Sequence, residues 1–249
     1  RSSISQSYSE IADHVNKLLT FCGLKLTMER LLKIPLSALR FSKFKINLTG
    51  GMIGILLPAI VVMTYLFMPG EWAELEVPAN QKIAIALTGI CFYSIAAGIV
   101  EEMVFRGVIM GLLEKWSNIK LAIVAPSVLF GLMHVLNGKL NLLSFIQLLL
   151  AGTVVSILFS LIAYYYDSFW NNALIHALWN ASTIGVMHIG TESYENSVFT
   201  YVLKPKSFLI TGGDFGIEAS VISTSAYVFF ILIITYIIIR KRQNMKTDA

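Results

Sequence analysis

Long apolar runs, broken by short polar or charged stretches, set the pattern of this chain from residue 46 onward. Six segments stand out: Ile46–Met68, Ile83–Val100 with a helical continuation to Leu113, Ile119–Leu136, Leu140–Tyr165, Phe169–Met187 and Ala219–Ile239. Most are apolar around their whole circumference and leave no polar face. That is the pattern of helices dissolved in lipid, where the backbone must satisfy its own hydrogen bonds. At about 1.5 Å per residue each can cross a hydrocarbon core of about 30 Å, the shorter ones with help from their flanks. The fifth differs, because Asn171, Asn172, His176 and Asn180 make it polar. The predicted fold is all-α, a polytopic transmembrane helical bundle of about six spans.

An even number of spans returns both termini to one side. The Arg240-Lys241-Arg242 cluster directly after the last span marks that side as cytoplasmic. The opposite loop Pro69–Gln81 holds Glu71, Glu74 and Glu76, in keeping with this orientation. Residues 1–45 interleave leucines with Lys17, Lys25, Arg30, Lys33, Arg40 and Lys43. They read as a basic amphipathic segment in the cytoplasmic interface, with a docking face for a partner as the rival reading. Residues 46–249 form the transmembrane domain, and His188–Glu218 reads as an external loop able to cap it.

Composition sharpens this picture. Of 249 residues 56% are hydrophobic and 14% charged, and mean hydropathy is +0.71. A soluble domain carries about 25% charged residues. The bilayer is the expected partner, in the plasma membrane, and no nucleic-acid partner is expected. The first fifteen residues are too polar for a signal-peptide core. The chain starts at Arg1, not Met, which is consistent with a lost or replaced upstream segment. Cys22 and Cys91 form no CxxC and read as two inert apolar thiols.

Ionisable groups inside spans are costly, so each one demands a reason. Away from the helix ends, those present are Glu101, Glu102, Arg106, His134 and His176, with the amide of Asn180 beside them. Glu102 and Arg106 are four apart and share a helix face, where they can neutralise each other. Glu101 points about 100° away and faces a neighbouring helix as a free carboxylate suited to general-base work. His134 follows Phe130 by four, and Asn180 follows His176 by four, so each pair presents one face. Glu101 and His134 could hold a water between them, while His176 and Asn180 could donate to the oxyanion formed as that water attacks a peptide carbonyl.

Other protease chemistries fit less well. Neither GxSxG nor HExxH is present. Cys91 precedes Glu101 by ten residues, about 15 Å along one helix, which argues against a Cys–His dyad. Asp167 and Asp214 read as loop residues, and His14 and His188 as surface residues outside the cluster.

The ordered trio EEMVFR (Glu101, Glu102, Arg106), FGLMH (Phe130, His134) and HALWN (His176, Asn180) resembles the EExxxR, FxxxH and HxxxN patterns of one family. It comprises the CAAX prenyl protease and bacteriocin-processing membrane peptidases, also called CPBP or Abi. The resemblance covers roughly residues 83–187. It implies an intramembrane endopeptidase acting on a prenylated C-terminus, a bacteriocin or signalling-peptide precursor, or another peptide or membrane-associated protein. Glu101 and His134 would activate water, His176 and Asn180 would serve the oxyanion, and Glu102, Arg106 and Phe130 would support the site. The family includes proteins described as metalloproteases and others described as metal-independent. No cofactor is the expectation here, and a zinc held by Glu101, His134 and His176 is the alternative.

Two further classes stay open. A non-catalytic member serving bacteriocin immunity or regulating a membrane partner would tolerate replacement of Glu101. A transporter relaying protons through the buried carboxylates would show internal repeats, and none is visible. Counted from the assigned ends, Glu101 and His176 fall nearer the cytoplasmic side and His134 nearer the other. A break at Pro126 or a displaced boundary would bring them level.

Overall fold

The computed structural model describes residues 33–35, 39–135 and 140–247. The amphipathic segment expected over residues 1–45 lies largely outside them, as do Cys22 and His14. The described chain is mostly helical, a polytopic bundle with a small sheet at one end. Helix α1 (Leu48–Leu66) leads into strand β1 (Gly70–Glu74). Next come α2 (Ala79–Trp116), α3 (Ile119–Val135), α4 (Leu142–Tyr166) and α5 (Trp170–Thr183). Strands β2 (Gly185–Gly190) and β3 (Ser197–Leu203) follow, then a one-turn helix at Phe208–Thr211 and the final helix α6 (Val221–Thr247).

Four helices, α1, α2, α4 and α6, are long and apolar enough to cross a membrane. The third predicted span is a shorter apolar helix of 17 residues. The fifth, expected over Phe169–Met187, is a helix of only 14 residues, about 21 Å long. It stops at Thr183 because the following GVMHIG segment joins the sheet instead. The polar side chains of α5 each find a partner inside the bundle, although Asn171 Nδ2 and Asn172 Oδ1 are buried without one among the described residues. Asn171 accepts from the Asn47 backbone N–H (2.9 Å), and Asn172 donates to the Phe159 carbonyl (2.8 Å). Lipid-facing positions on α1, α4 and α6 carry Ile55, Leu150 and Leu232, all exposed. That suits a hydrocarbon solvent.

The core lies between α1, α4, α5 and α6, around Leu57, Tyr65, Leu158, Ile162, Ile175 and Tyr227. The sheet, in the order β1-β3-β2, closes one end: β1 runs antiparallel and β2 parallel to β3. Ile189, Tyr201 and Leu203 pass from it into the core. This sheet replaces the two loops expected at Pro69–Gln81 and His188–Glu218. At the other end, Ser42 donates to the Ser168 hydroxyl (2.8 Å), and Arg242 donates to the Tyr164 hydroxyl (2.6 Å). The start of α1 and the end of α6 therefore both lie near the α4–α5 turn. Arg40 pairs there with Glu114 and, at 3.6 Å, with Asp167.

Helices α3 and α4 approach closely where Gly131 faces Gly152. A Cβ on Gly152 would stand 3.0 Å from the Gly131 Cα, and one on Gly131 would stand 3.0 Å from the Leu149 carbonyl. Small residues of this kind let membrane helices touch backbone to backbone. Gly131→Val should force α3 off α4 at a cost of about 1–3 kcal/mol. The expected drop in unfolding temperature in detergent is about 5 °C, measurable by calorimetry. An unchanged midpoint would mean that the contact is loose.

Candidate functional site

Helix α2 is not uniform. Wide turns with π-helical bonding run over Gly89–Ala96 and Met103–Ile109, with regular α-helix between them at Ala97–Glu102. Such segments concentrate at functional sites. Glu101 and Glu102 end the regular stretch and point to different surroundings, as their 100° offset predicts.

Glu102 and Arg106 are fully buried and paired, Nη1 donating to Oε1 at 3.0 Å. Arg106 reaches on across the bundle, where its Nη2 donates to the Ser156 carbonyl (3.2 Å) and to the Ser156 hydroxyl. Its guanidinium lies 4.8 Å from the Phe130 ring centre and 5.2 Å from that of Phe159. Cation–π contact and three donated bonds compensate a charge taken out of water. His176 donates from Nδ1 to the same Glu102 oxygen at 3.0 Å. A carboxylate held by arginine can only accept here, so that bond fixes the Nδ1–H tautomer of the neutral ring and leaves Nε2 as an acceptor.

His134 is oriented the same way by a different partner. Its Nδ1 lies 2.8 Å from the Phe130 carbonyl, which only accepts, so in the neutral ring Nε2 again carries the free lone pair. The Nε2 atoms of His134 and His176 each stand 4.0 Å from Glu101 Oε2. That oxygen is buried and has no hydrogen-bond partner among the described residues. With both rings neutral, three acceptors converge on one small space, and something that donates protons or carries positive charge satisfies them. A water bonded to carboxylate and imidazole at about 2.8 Å meets a 4.0 Å separation with an angle of about 90°, which hydrogen bonds tolerate. A zinc ion with bonds of about 2.1 Å would see its donors about 145° apart, far from tetrahedral. Among the described residues no three His, Cys, Asp or Glu side chains are grouped to hold a metal ion. As placed, the donors do not fit one.

These groups line a cavity of about 510 Å³ with Tyr93, Phe159, Trp179, Asn180 and Glu218. Asn180 donates from Nδ2 to the Tyr93 carbonyl within the widened turn of α2 (2.8 Å), which leaves its second amide hydrogen for another acceptor. All seven site residues expected from sequence therefore gather at one place: Glu101, His134, His176 and Asn180 on the cavity, Phe130 beside them, and Glu102–Arg106 behind. In its neutral Nδ1–H form His176 offers an acceptor at Nε2, and in its protonated form it offers a donor there. Ser156, Phe159, Tyr93 and Glu218 were missed. Ser156 and Phe159 sit in an uninterrupted apolar run, and Glu218 lay at the end of what read as a loop.

The depth mismatch resolves at a boundary. Helix α3 runs unbroken through Pro126, while α2 continues to Trp116. Glu101 is then fifteen residues before the α2–α3 turn and His134 fifteen after its start, about 22 Å along each helix.

The bundle and its enclosed carboxylate–histidine cavity define an integral membrane protein built around a buried polar centre. Residues 82–182, from α2 into α5, match the family model of type II CAAX prenyl endopeptidase Rce1-like proteins. Over these residues the chain is similar to Rce1-like proteins of the CPBP family, which are intramembrane proteases. No curated protein and no solved structure matches it.

Proposed function

We propose that this protein is an intramembrane endopeptidase whose cavity holds a water on Glu101, His134 and His176. The observation that carries the reading is the pair of Nε2 acceptors 4.0 Å from the buried, unpartnered Glu101 oxygen. Water donates one proton to Glu101 and attacks the peptide carbonyl. The oxyanion takes the free amide hydrogen of Asn180, and Glu101 returns the proton to the departing amine. Glu102, held by Arg106, fixes the ring of His176 as Phe130 fixes that of His134. The substrates are prenylated C-terminal peptides or peptide precursors of the bacteriocin or signalling kind, and the basic end of the bundle faces the cytoplasm of a plasma membrane.

The test is cleavage of prenylated C-terminal and leader peptides by the purified protein in lipid, with and without a chelator. His134→Ala should cut the rate by about 10²–10³-fold, and chelator should leave the wild type unchanged. Loss with chelator and recovery with zinc would replace this mechanism by a metal-assisted one. No cleavage of any peptide, with Glu101 replaceable in cells, would favour a binding or immunity role.

A further inference from the structure

A second cavity of about 410 Å³ lies at the sheet end, between the loop after β2 and the turn leading to α6. It adjoins the first, because Ile184, Phe215 and Glu218 line both. The two differ in character. The inner one has apolar walls such as Leu57, Leu148 and Val155, whereas Thr191, Ser193 and Tyr194 line the outer one. Among the described residues no Lys or Arg lines either cavity, and Glu218 forms no ion pair with a described residue.

Glu218 stands where the two meet. Its carboxylate accepts from the Thr183 hydroxyl (3.2 Å), and its backbone carbonyl accepts from Tyr227 (3.3 Å), so it is held in place at the junction. Asp214, farther along the outer wall, is already engaged by the Asn141 backbone and side-chain amides. Burial holds His188 below the usual imidazole range, so it brings no compensating charge at neutral pH.

Resting on the peptidase reading of the inner cavity, we infer that the outer cavity is a subsite for the polar flank of the substrate. It takes a peptide segment carrying lysine or arginine beside the apolar stretch, and Glu218 is its specificity-determining residue. A chain passing from the polar to the apolar cavity brings its flanking side chain to this carboxylate. A cation there gains an attractive partner in a partly desolvated place, and an anion meets repulsion. The flank enters from the sheet end, opposite Arg240–Arg242, which selects among the proposed substrates a precursor peptide presented on the non-cytoplasmic face.

The probes are a short dye-labelled Leu/Ala peptide with a Lys-Lys flank and its Glu-Glu twin. Each is titrated by fluorescence anisotropy onto the full chain in nanodiscs of uncharged lipid. The Lys-Lys peptide should bind about tenfold tighter. That preference should vanish in Glu218→Gln and reverse in Glu218→Lys. Glu71→Gln, an exposed carboxylate at the same end paired with Lys204, should leave it unchanged. Equal binding of the twins, no binding of either, or a preference unmoved by Glu218→Gln overturns the assignment. Cleavage is scored separately: a Glu218-dependent preference without cleavage of any peptide would sink the peptidase reading and leave the subsite standing.

Discussion

Glu101→Gln should lower peptide hydrolysis by about 10³-fold while leaving the protein at least as stable as the wild type. The amide is nearly isosteric with the carboxylate but cannot take a proton from water. Its two N–H groups would face the Nε2 atoms of His134 and His176, both acceptors now 4.0 Å from Glu101 Oε2. Packing is thus kept and the base removed. Thermal unfolding in detergent alongside the cleavage rate checks both halves. A variant that loses activity only because it unfolds would show that Glu101 is structural.

Arg106→Met should have the largest effect on folding. Arg106 and Glu102 are both inaccessible to solvent, and removing the cation leaves a buried carboxylate without its charge partner. Breaking one side of such a pair costs about 3–5 kcal/mol, whereas replacing both partners together is often close to neutral. The single variant should unfold about 10 °C lower. Arg106→Met combined with Glu102→Gln should recover most of that loss and still hydrolyse poorly, because His176 would no longer be held by a charged acceptor. Equal destabilisation in the single and double variants would show that packing against Phe130 and Phe159, not charge, is what matters.

The polar centre was legible because lipid leaves so few ionisable residues in spans. Spacing of four placed Arg106 under Glu102 and His134 beside the Phe130 carbonyl, since the helix repeat fixes those neighbours. Tautomers were not legible. That His176 donates to Glu102 follows from the crossing of α2 and α5, which no local pattern encodes. Hydropathy found α1 to α6 but overestimated α5, whose apolar residues continue into β2 without a break. The sheet was hidden for a related reason: β3, SVFTYVL, has the β-branched and aromatic residues of a strand, yet its partner β1 is 125 residues earlier and rich in glutamate. Glu218 became visible only once the turn before α6 folded back over the cavity.

Isotope transfer from solvent tests the central claim most directly. Wild type and Glu101→Gln are incubated in lipid with a farnesylated CAAX-type peptide in ¹⁸O-water, and the products are weighed by mass spectrometry. The expected result is cleavage by the wild type, with one ¹⁸O in the newly formed carboxylate, and none by Glu101→Gln. Cleavage persisting in folded Glu101→Gln, with the label still incorporated, would contradict a water held and activated at this carboxylate.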